Sequence, residues 1–380
     1  VRFGHRLVVR GDATMRSRRR RPRVYDEAVV AALKRLWELL DYLSGKRLAP
    51  ALKGAIEALE RHGELELKGE VRAKLLSISP ATIDRLLAEE KKRHVLKSRA
   101  KTKPGTLLRH QIPIRTFAQW DDARPGFVEI DLAGHDGGWG RGDYAQTLTL
   151  TDVATTWTEL ETVRNKAQVW VFGALLQARG RLPFPMLGLH SDNGGEFINE
   201  PLVTYCREHE ITFTRSRPYR KNDNCFVEQK NWAVVRRFVG YGRFDTDQAC
   251  AVLTQLDAVL SDYLNFFVPS MKLIEKVRDG ARIKKHYDRA RTPLERVLAS
   301  PEIAEEAKQN LRERAVRLNP AALMRSIRRL QHQLEGLAAP TIQAQPPTRA
   351  MDGDRLRKAG ASIRPPATFP QPLEIAHTAI

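Results

Sequence analysis

Cysteine is scarce. The 380 residues hold three, Cys206, Cys225 and Cys250, with no C-x-x-C pair among them. That excludes a disulfide framework and a four-cysteine zinc site, and it points to a reducing cytosol. Long apolar runs are missing as well. None approaches the ~18 residues of a membrane span, and the arginine-rich start lacks the apolar stretch of a secretory signal. Acidic residues are in short supply against basic ones, 45 to 64, which leaves a formal charge of +19 and a sequence pI near 10.1. A chain this basic calls for a polyanionic partner, and a pI above ~9 is the usual footprint of nucleic-acid binding.

The charge is unevenly spread. Residues 1–110 carry 27 Lys and Arg against 13 Asp and Glu, whereas residues 126–200 carry 5 against 10. Residues 215–243 swing back to 8 basic and 2 acidic. An acidic centre between basic flanks suits metal-assisted chemistry on a phosphate backbone. The acidic stretch holds Asp131, which ends the strand-like run Gly126-Phe127-Val128-Glu129-Ile130-Asp131, and Asp192, in His190-Ser191-Asp192-Asn193-Gly194-Gly195-Glu196-Phe197. Sixty residues separate them, and 35 more separate Asp192 from Glu228 in Asn224-Cys225-Phe226-Val227-Glu228-Gln229-Lys230-Asn231. Three acids borne on strand ends and a helix can present hard oxygen ligands to a common point, the requirement of a metal-dependent phosphoryl-transfer site. Taken singly each acid is unremarkable: Asp192-Asn193-Gly194 is an ordinary turn signal and Glu228 an ordinary helix residue. Two further acids read as structural, Asp136 in a glycine-rich turn and Asp152 as a turn cap.

The three acids, their spacing and the flanking Ser191-Asp192-Asn193-Gly194, Glu196-Phe197 and Arg215-Ser216-Arg217-Pro218-Tyr219 segments resemble the D,D(35)E core of retroviral integrases and integrase-type transposases of bacterial insertion sequences. The resemblance spans roughly residues 125–264. It departs at Cys225, where many members have Gly. It implies an α/β RNase H-like catalytic core, a mixed five-stranded sheet with flanking helices. It further implies Asp131, Asp192 and Glu228 as catalytic residues and ligands of two Mg²⁺ ions, for which Mn²⁺ can substitute. The implied reaction is cleavage at the 3′ ends of a mobile element and strand transfer into target DNA. Asn193 and Gly194 would shape the turn that presents Asp192. Retroviral integrases begin with a zinc-binding module that is not found here, so the bacterial branch is preferred, with a cytoplasmic, nucleoid-associated location. Pairing of two DNA ends implies a homodimer or higher oligomer. A DNA-binding remnant without activity and an RNase H-like nuclease are the rival readings.

The remaining chain divides by pattern. Residues 1–25 form a basic arm in which Arg18, Arg19, Arg20 and Arg21 would lie along DNA. Residues 26–96 read as helices, capped by Asp26, with a helix-turn-helix at Glu70–Leu76 and Pro80–Lys92 whose Thr82, Asp84, Arg85 and Lys91 would face DNA. A linker follows over 97–124, then the core over 125–268, with strands near 127–132, 144–151, 156–163, 186–190 and 211–215 and helices near 166–179, 199–209 and 224–239. Arg215, Arg217, Lys230 and Arg236 are further DNA contacts, Arg236 because eight residues set it on the same α-helical face as Glu228. Residues 269–337 read as a basic segment and a helical hairpin able to dimerise, and 338–380 as a disordered tail.

Overall fold

A computed structural model describes residues 24–92, 124–216, 224–279 and 282–339. Arg18 to Arg21, Arg217, almost all of the linker and most of the tail lie outside the described residues. Residues Val1–Pro340 form one compact unit and Thr341–Ile380 a second.

Five strands make one sheet: β1 (Phe127–Gly134), β2 (Gln146–Asp152), β3 (Thr158–Val163), β4 (Gly188–Ser191) and β5 (Thr212–Arg215), in the order β3-β2-β1-β4-β5. β2 runs antiparallel to β1 and β3, whereas β4 lies parallel to β1, and β5 to β4. Because side chains alternate along a strand, Val128 and Ile130 enter one core and Glu129 and Asp131 face the other way. Val128, Ile130, Leu148, Leu150 and Leu189 pack under helices α6 (Gln168–Gly180) and α7 (Glu200–Glu208). The opposite face carries Thr147, Thr149 and Thr151, all buried. It is covered by α8 (Cys225–Lys230), the π-helical segment Asn231–Arg236 that continues it, and α9 (Asp247–Phe267). Such a mixed sheet between helical layers is the RNase H-like fold.

Asp152 accepts from the Gly126 and Thr155 amides and the Thr155 hydroxyl at 2.6–2.8 Å, closing the β2–β3 turn. Asp136 accepts from the Gly138 amide within its own turn.

The helices before the sheet share a core with those after it. α1 (Glu27–Leu39), capped by Asp26, and α2 (Gly45–Arg61) bury Leu33, Trp37, Leu52 and Ile56 in one cluster with Leu253, Leu256 and Leu260 of α9 and with Met324, Ile327 and Leu330 of α12 (Pro320–Gly336). Tyr263 donates to the Leu39 carbonyl across this junction at 2.9 Å. α3 (Gly69–Ser77) and α4 (Pro80–Leu86) pack against α2, with Ser79 accepting from the Thr82 amide as the α4 cap, and α5 (Ala88–Lys92) follows α4 and reaches α1 through the Lys34–Glu90 ion pair.

Several expectations need correction. α2 carries Pro50 inside it and begins at Gly45, where α4 supplies a cap: the Asp84 carboxylate accepts from the Gly45 amide at 2.8 Å. Asp84 is therefore engaged by the Gly45 amide and by Lys91, half-exposed, and is not free to contact DNA beside Arg85. The second helix of the turn motif breaks at Leu87 into α4 and α5. The basic segment contains a hairpin, β6 (Leu273–Asp279) and β7 (Arg282–Tyr287), where charge conceals Val, Ile and Tyr at strand positions. Three helices follow instead of two: α10 (Pro293–Ala299), α11 (Glu305–Arg317) and α12. The apolar stripe of α12 is buried against α9 and the N-terminal helices of the same chain, so it is not available to pair with a second copy.

Gly45 is required by close approach, since a Cβ there would stand 2.2 Å from the Pro80 carbonyl oxygen. Gly45→Ala is expected to push α4 off α2 and cost about 2–3 kcal/mol, read as a lower midpoint in urea unfolding.

Candidate active site

β4 stays paired with β1 only through Phe127↔Gly188, Val128↔Leu189 and Glu129↔His190, and it ends at Ser191. Carried two residues further, the same register sets Asp192 level with Asp131, about one strand spacing, ~5 Å, away along the backbone. Asp131 lies within β1 and not at its end, opposite Thr149 of β2. The two acids thus flank the point where β1 and β4 part.

Neighbouring groups hold the turn after β4. Asp192 accepts from the Gly194 amide at 2.8 Å. Asn193 donates to the Ser216 carbonyl at 2.9 Å and accepts from Arg215 at 3.1 Å, which ties the turn to the end of β5. The His190 ring lies between the Thr214 and Ser216 hydroxyls at 2.8 and 3.2 Å. Neither Gly194 nor Gly195 has a positive φ, so the turn does not need glycine for backbone conformation. At Gly194 a Cβ would meet only the end of the Glu196 side chain, at 2.6 Å, and at Gly195 it would meet open space.

Glu228 sits in the first turn of α8 with its side chain exposed. Three consecutive residues of β1 hold that helix. The buried Glu129 carboxylate accepts from the Phe226 and Val227 amides at 2.9 and 3.2 Å, occupying the free N–H groups of the helix start with a charge that suits the helix dipole. The Asn224 amide donates to the Ile130 carbonyl at 3.1 Å. Asn231 donates to Asp131 at 2.7 Å and accepts from the Thr149 hydroxyl at 2.6 Å. Any movement of α8 relative to Asp131 breaks at least one of these bonds.

Beyond Asn231 the backbone widens into a π turn, an irregularity found often at functional sites. The α-helical spacing that put Arg236 on the face of Glu228 therefore fails. Arg236 nonetheless feels the charges of Asp131 and Asp136, and its guanidinium lies 5.3 Å from the Tyr241 ring centre.

The acids crowd one another. Burial raises Asp131 to about 7, helped by the charges of Asp192 and Glu228 and opposed by the Leu132 amide and Asn231. Burial also raises Asp192, with Glu196 adding to the shift while the Gly194 amide and Lys166 oppose it. The donor set is all carboxylate oxygen, and each Asp131 oxygen, though it accepts one hydrogen bond, keeps a further lone pair. Such donors fit hard divalent cations, which would relieve the mutual repulsion. As they stand, no three His, Cys, Asp or Glu side chains among the described residues are gathered closely enough to enclose an ion.

The sequence-predicted DNA contacts are scattered. Arg85 is exposed on α4, hydrogen-bonded to Thr82 at 3.1 Å. Lys91 is engaged in an ion pair with Asp84. Arg215 is buried, 7% exposed, against Asn193. Lys230 turns away from the acids into a cavity beside α8, where burial and the charges of Arg47 and Arg296 lower it to about 7. Sequence reasoning missed Glu129, Asn224 and Asn231 as parts of the site. The available signal was Glu129 two residues before Asp131, which puts a second acid on the same face of an otherwise apolar strand.

Residues 121–221 match the integrase core domain, a stretch that includes Asp131 and Asp192 and stops short of Glu228. Over 274 residues, 72% of this chain and 78% of the other, the chain is 46% identical to "Uncharacterized protein y4rM" of Sinorhizobium fredii (strain NBRC 101917 / NGR234). It belongs to the integrase-core family. Among solved structures, the catalytic core domain of BIV integrase is 18% identical, with a TM-score of 0.28 over 45% of this chain and 91% of that one. The HTLV-2 integrase catalytic core domain in complex with magnesium is 15% identical, with a TM-score of 0.29 over 38% and 90%. Both likenesses are too loose to carry residue correspondences. Among the described residues of this integrase-core protein, no helix is long and apolar enough to cross a membrane.

Proposed function

We propose that this protein is a transposase of the integrase-core family that cuts the 3′ ends of a mobile DNA element and joins them to target DNA. The observation that carries this reading is the interlock of Glu129, Ile130 and Asp131 with the helix bearing Glu228, in register with Asp192. Asp131, Asp192 and Glu228 would hold two divalent cations, Mg²⁺ or Mn²⁺ in its place. When bound, such a pair neutralises the scissile phosphate, activates the nucleophile and stabilises the leaving oxygen. The chain's own part is placement. Asn231 orients the Asp131 carboxylate, Glu129 fixes the start of α8, and Asn193 fixes the Asp192 turn. Water is the nucleophile for cleavage and the freed 3′-hydroxyl for joining, so no covalent link to the protein forms. The basic arm and the helices of residues 26–96 are assigned to the DNA ends, and two copies to a pair of ends.

The test is joining of labelled element-end DNA to a plasmid, with Mg²⁺ and with EDTA. Joined product that requires the metal supports the reading, nicking without joining indicates a nuclease, and DNA binding with neither indicates an inactive remnant. Glu129→Gln keeps the size of the cap and an oxygen for the two N–H donors, which share one carboxylate oxygen, but loses the charge. Charge-assisted bonds of this kind contribute about 1.5–3 kcal/mol. Joining is expected to fall about 10- to 100-fold, with DNA affinity unchanged in a filter-binding assay.

A further inference from the structure

The structure holds a cavity of about 350 Å³ on the flank of α8 away from the acids, closed by the α1–α2 connection, α9 and the base of the β6–β7 hairpin. That volume is within the range of ligand pockets, roughly 300–1,000 Å³. Its lining carries Lys230, Arg47 and Arg237 against a single carboxylate, Asp41. Asp41 is engaged by Arg237, and the Arg47 Nε donates to the Pro269 carbonyl at 2.7 Å. Lys230 has no hydrogen-bond or ion-pair partner among the described residues. Behind Ser270 lies a fourth cation, Arg296, which donates to Asp288 and the Ser270 carbonyl and whose Nε is buried without a partner. Half-buried cations in excess of carboxylates favour an anion that joins them. Two lining aromatics remain open to solvent, Trp232 at 56% exposed and Tyr287 at 48%. Exposed rings beside an unpaired lysine and two arginines suit a planar base carried on a phosphate.

We propose that this cavity is a nucleotide subsite that takes one unpaired nucleotide of the DNA strand leaving the catalytic acids, with its phosphate on Lys230 and its base against Trp232. The proposal rests on the DNA-joining reading and extends it. Lys230 follows Glu228 by two residues, which puts the two on opposite flanks of one helical turn. A helix is ~10–12 Å across, the span of about three nucleotides at 3.4 Å each. An acidic peptide would meet the charges but leave both rings without a role.

The experiment is fluorescence anisotropy of the full chain, without divalent metal, with a labelled duplex bearing a three-nucleotide 3′ overhang and with its blunt counterpart. The overhang is expected to bind about tenfold tighter, in keeping with stacking of one base. Lys230→Met and Trp232→Ala should each bring that ratio close to one, and Lys230→Arg should keep most of it. Trp232 is exposed, so its variant carries the test should Lys230→Met fail to fold. A wild-type ratio of one, or a ratio that survives both substitutions, overturns the proposal while leaving the DNA-joining reading intact. Failure to bind either duplex, with dTMP alone quenching tryptophan fluorescence in the wild type and not in Lys230→Met, would overturn both and assign the cavity to a free nucleotide.

Discussion

Asp131→Asn and Asp192→Asn are each expected to remove DNA joining, by at least about 10³-fold, because losing one ligand forfeits several kcal/mol of charge stabilisation in the transition state. The Asp131 variant has a second signature that a structural role would not produce. Burial and the neighbouring acids raise the Asp131 carboxyl to about 7 in the fold, against 3.8 as its ordinary value. An acid with a raised folded pKa is neutral at no cost below the unfolded value, and its ionisation progressively costs stability as pH climbs through the folded value. Replacing it with an amide removes that cost. It also sets the new amide against the Leu132 N–H, which costs about 1 kcal/mol. In EDTA, Asp131→Asn should therefore melt no higher than the wild type at pH 4 but above it at pH 8.5, by an amount worth about 2–3 kcal/mol. Loss of joining together with a gain in metal-free stability would mark Asp131 as a residue kept for chemistry. Loss of both would make it a structural carboxylate and sink the assignment.

Much of this was legible in the sequence, for identifiable reasons. The strands announce themselves where apolar residues alternate, as in Val128 and Ile130 or Leu148 and Leu150, and the caps of α1, α4 and α12 lie in Asp26, Ser79-Pro80 and Asn319-Pro320. The acids stood out by type and spacing. Their adjacency was expected from the resemblance and not from local pattern, since it depends on β1 and β4 pairing in parallel across 61 positions, and pairing partners leave no trace in local pattern. Glu129 was overlooked because an acid in a strand reads as solvent-facing unless the opposite face is known to be covered. The π turn escaped because a widened turn alters the helical period over only six residues, Asn231 to Arg236. In the β6–β7 hairpin, Lys284 and Lys285 pointed to a charged segment and not to a strand, because isolated ribbons draw little from burial. The stripe of α12 was visible, but its partner was not. A stripe pairs equally well with a second copy or with α9, and only the folded chain decides.

A second large effect concerns Asp257, on the inner face of α9 and 1% exposed. One of its oxygens accepts from the Thr147 and Thr162 hydroxyls at 3.2 and 2.8 Å, and the other is buried without a partner. Burial raises this carboxyl to about 7, with the charge of Glu161 adding to the shift while the two hydroxyls and Arg181 oppose it. The acid is neutral in the fold where it would be ionised in the open chain. Its contribution to stability is fully present below pH 3.8, declines as pH rises, and is lost once pH passes about 7. A shift of about three units corresponds to about 4 kcal/mol between the two ends of that window. Asp152, raised to about 6 by burial, slopes the same way, so the metal-free protein should lose stability steadily from pH 5 to pH 8. Asp257→Asn keeps an oxygen for both threonines and puts an NH₂ where the partnerless oxygen stands. It should match the wild type near pH 4 and exceed it by about 2–4 kcal/mol at pH 8.5, measured by urea unfolding at both values. The comparison isolates one buried carboxyl, because Asp131 and Asp152 are present in both proteins. A pH-independent difference would mean that the substitution acts through packing, and a loss at pH 8.5 would mean that the ionised Asp257 is held by Arg181 more firmly than its burial opposes it.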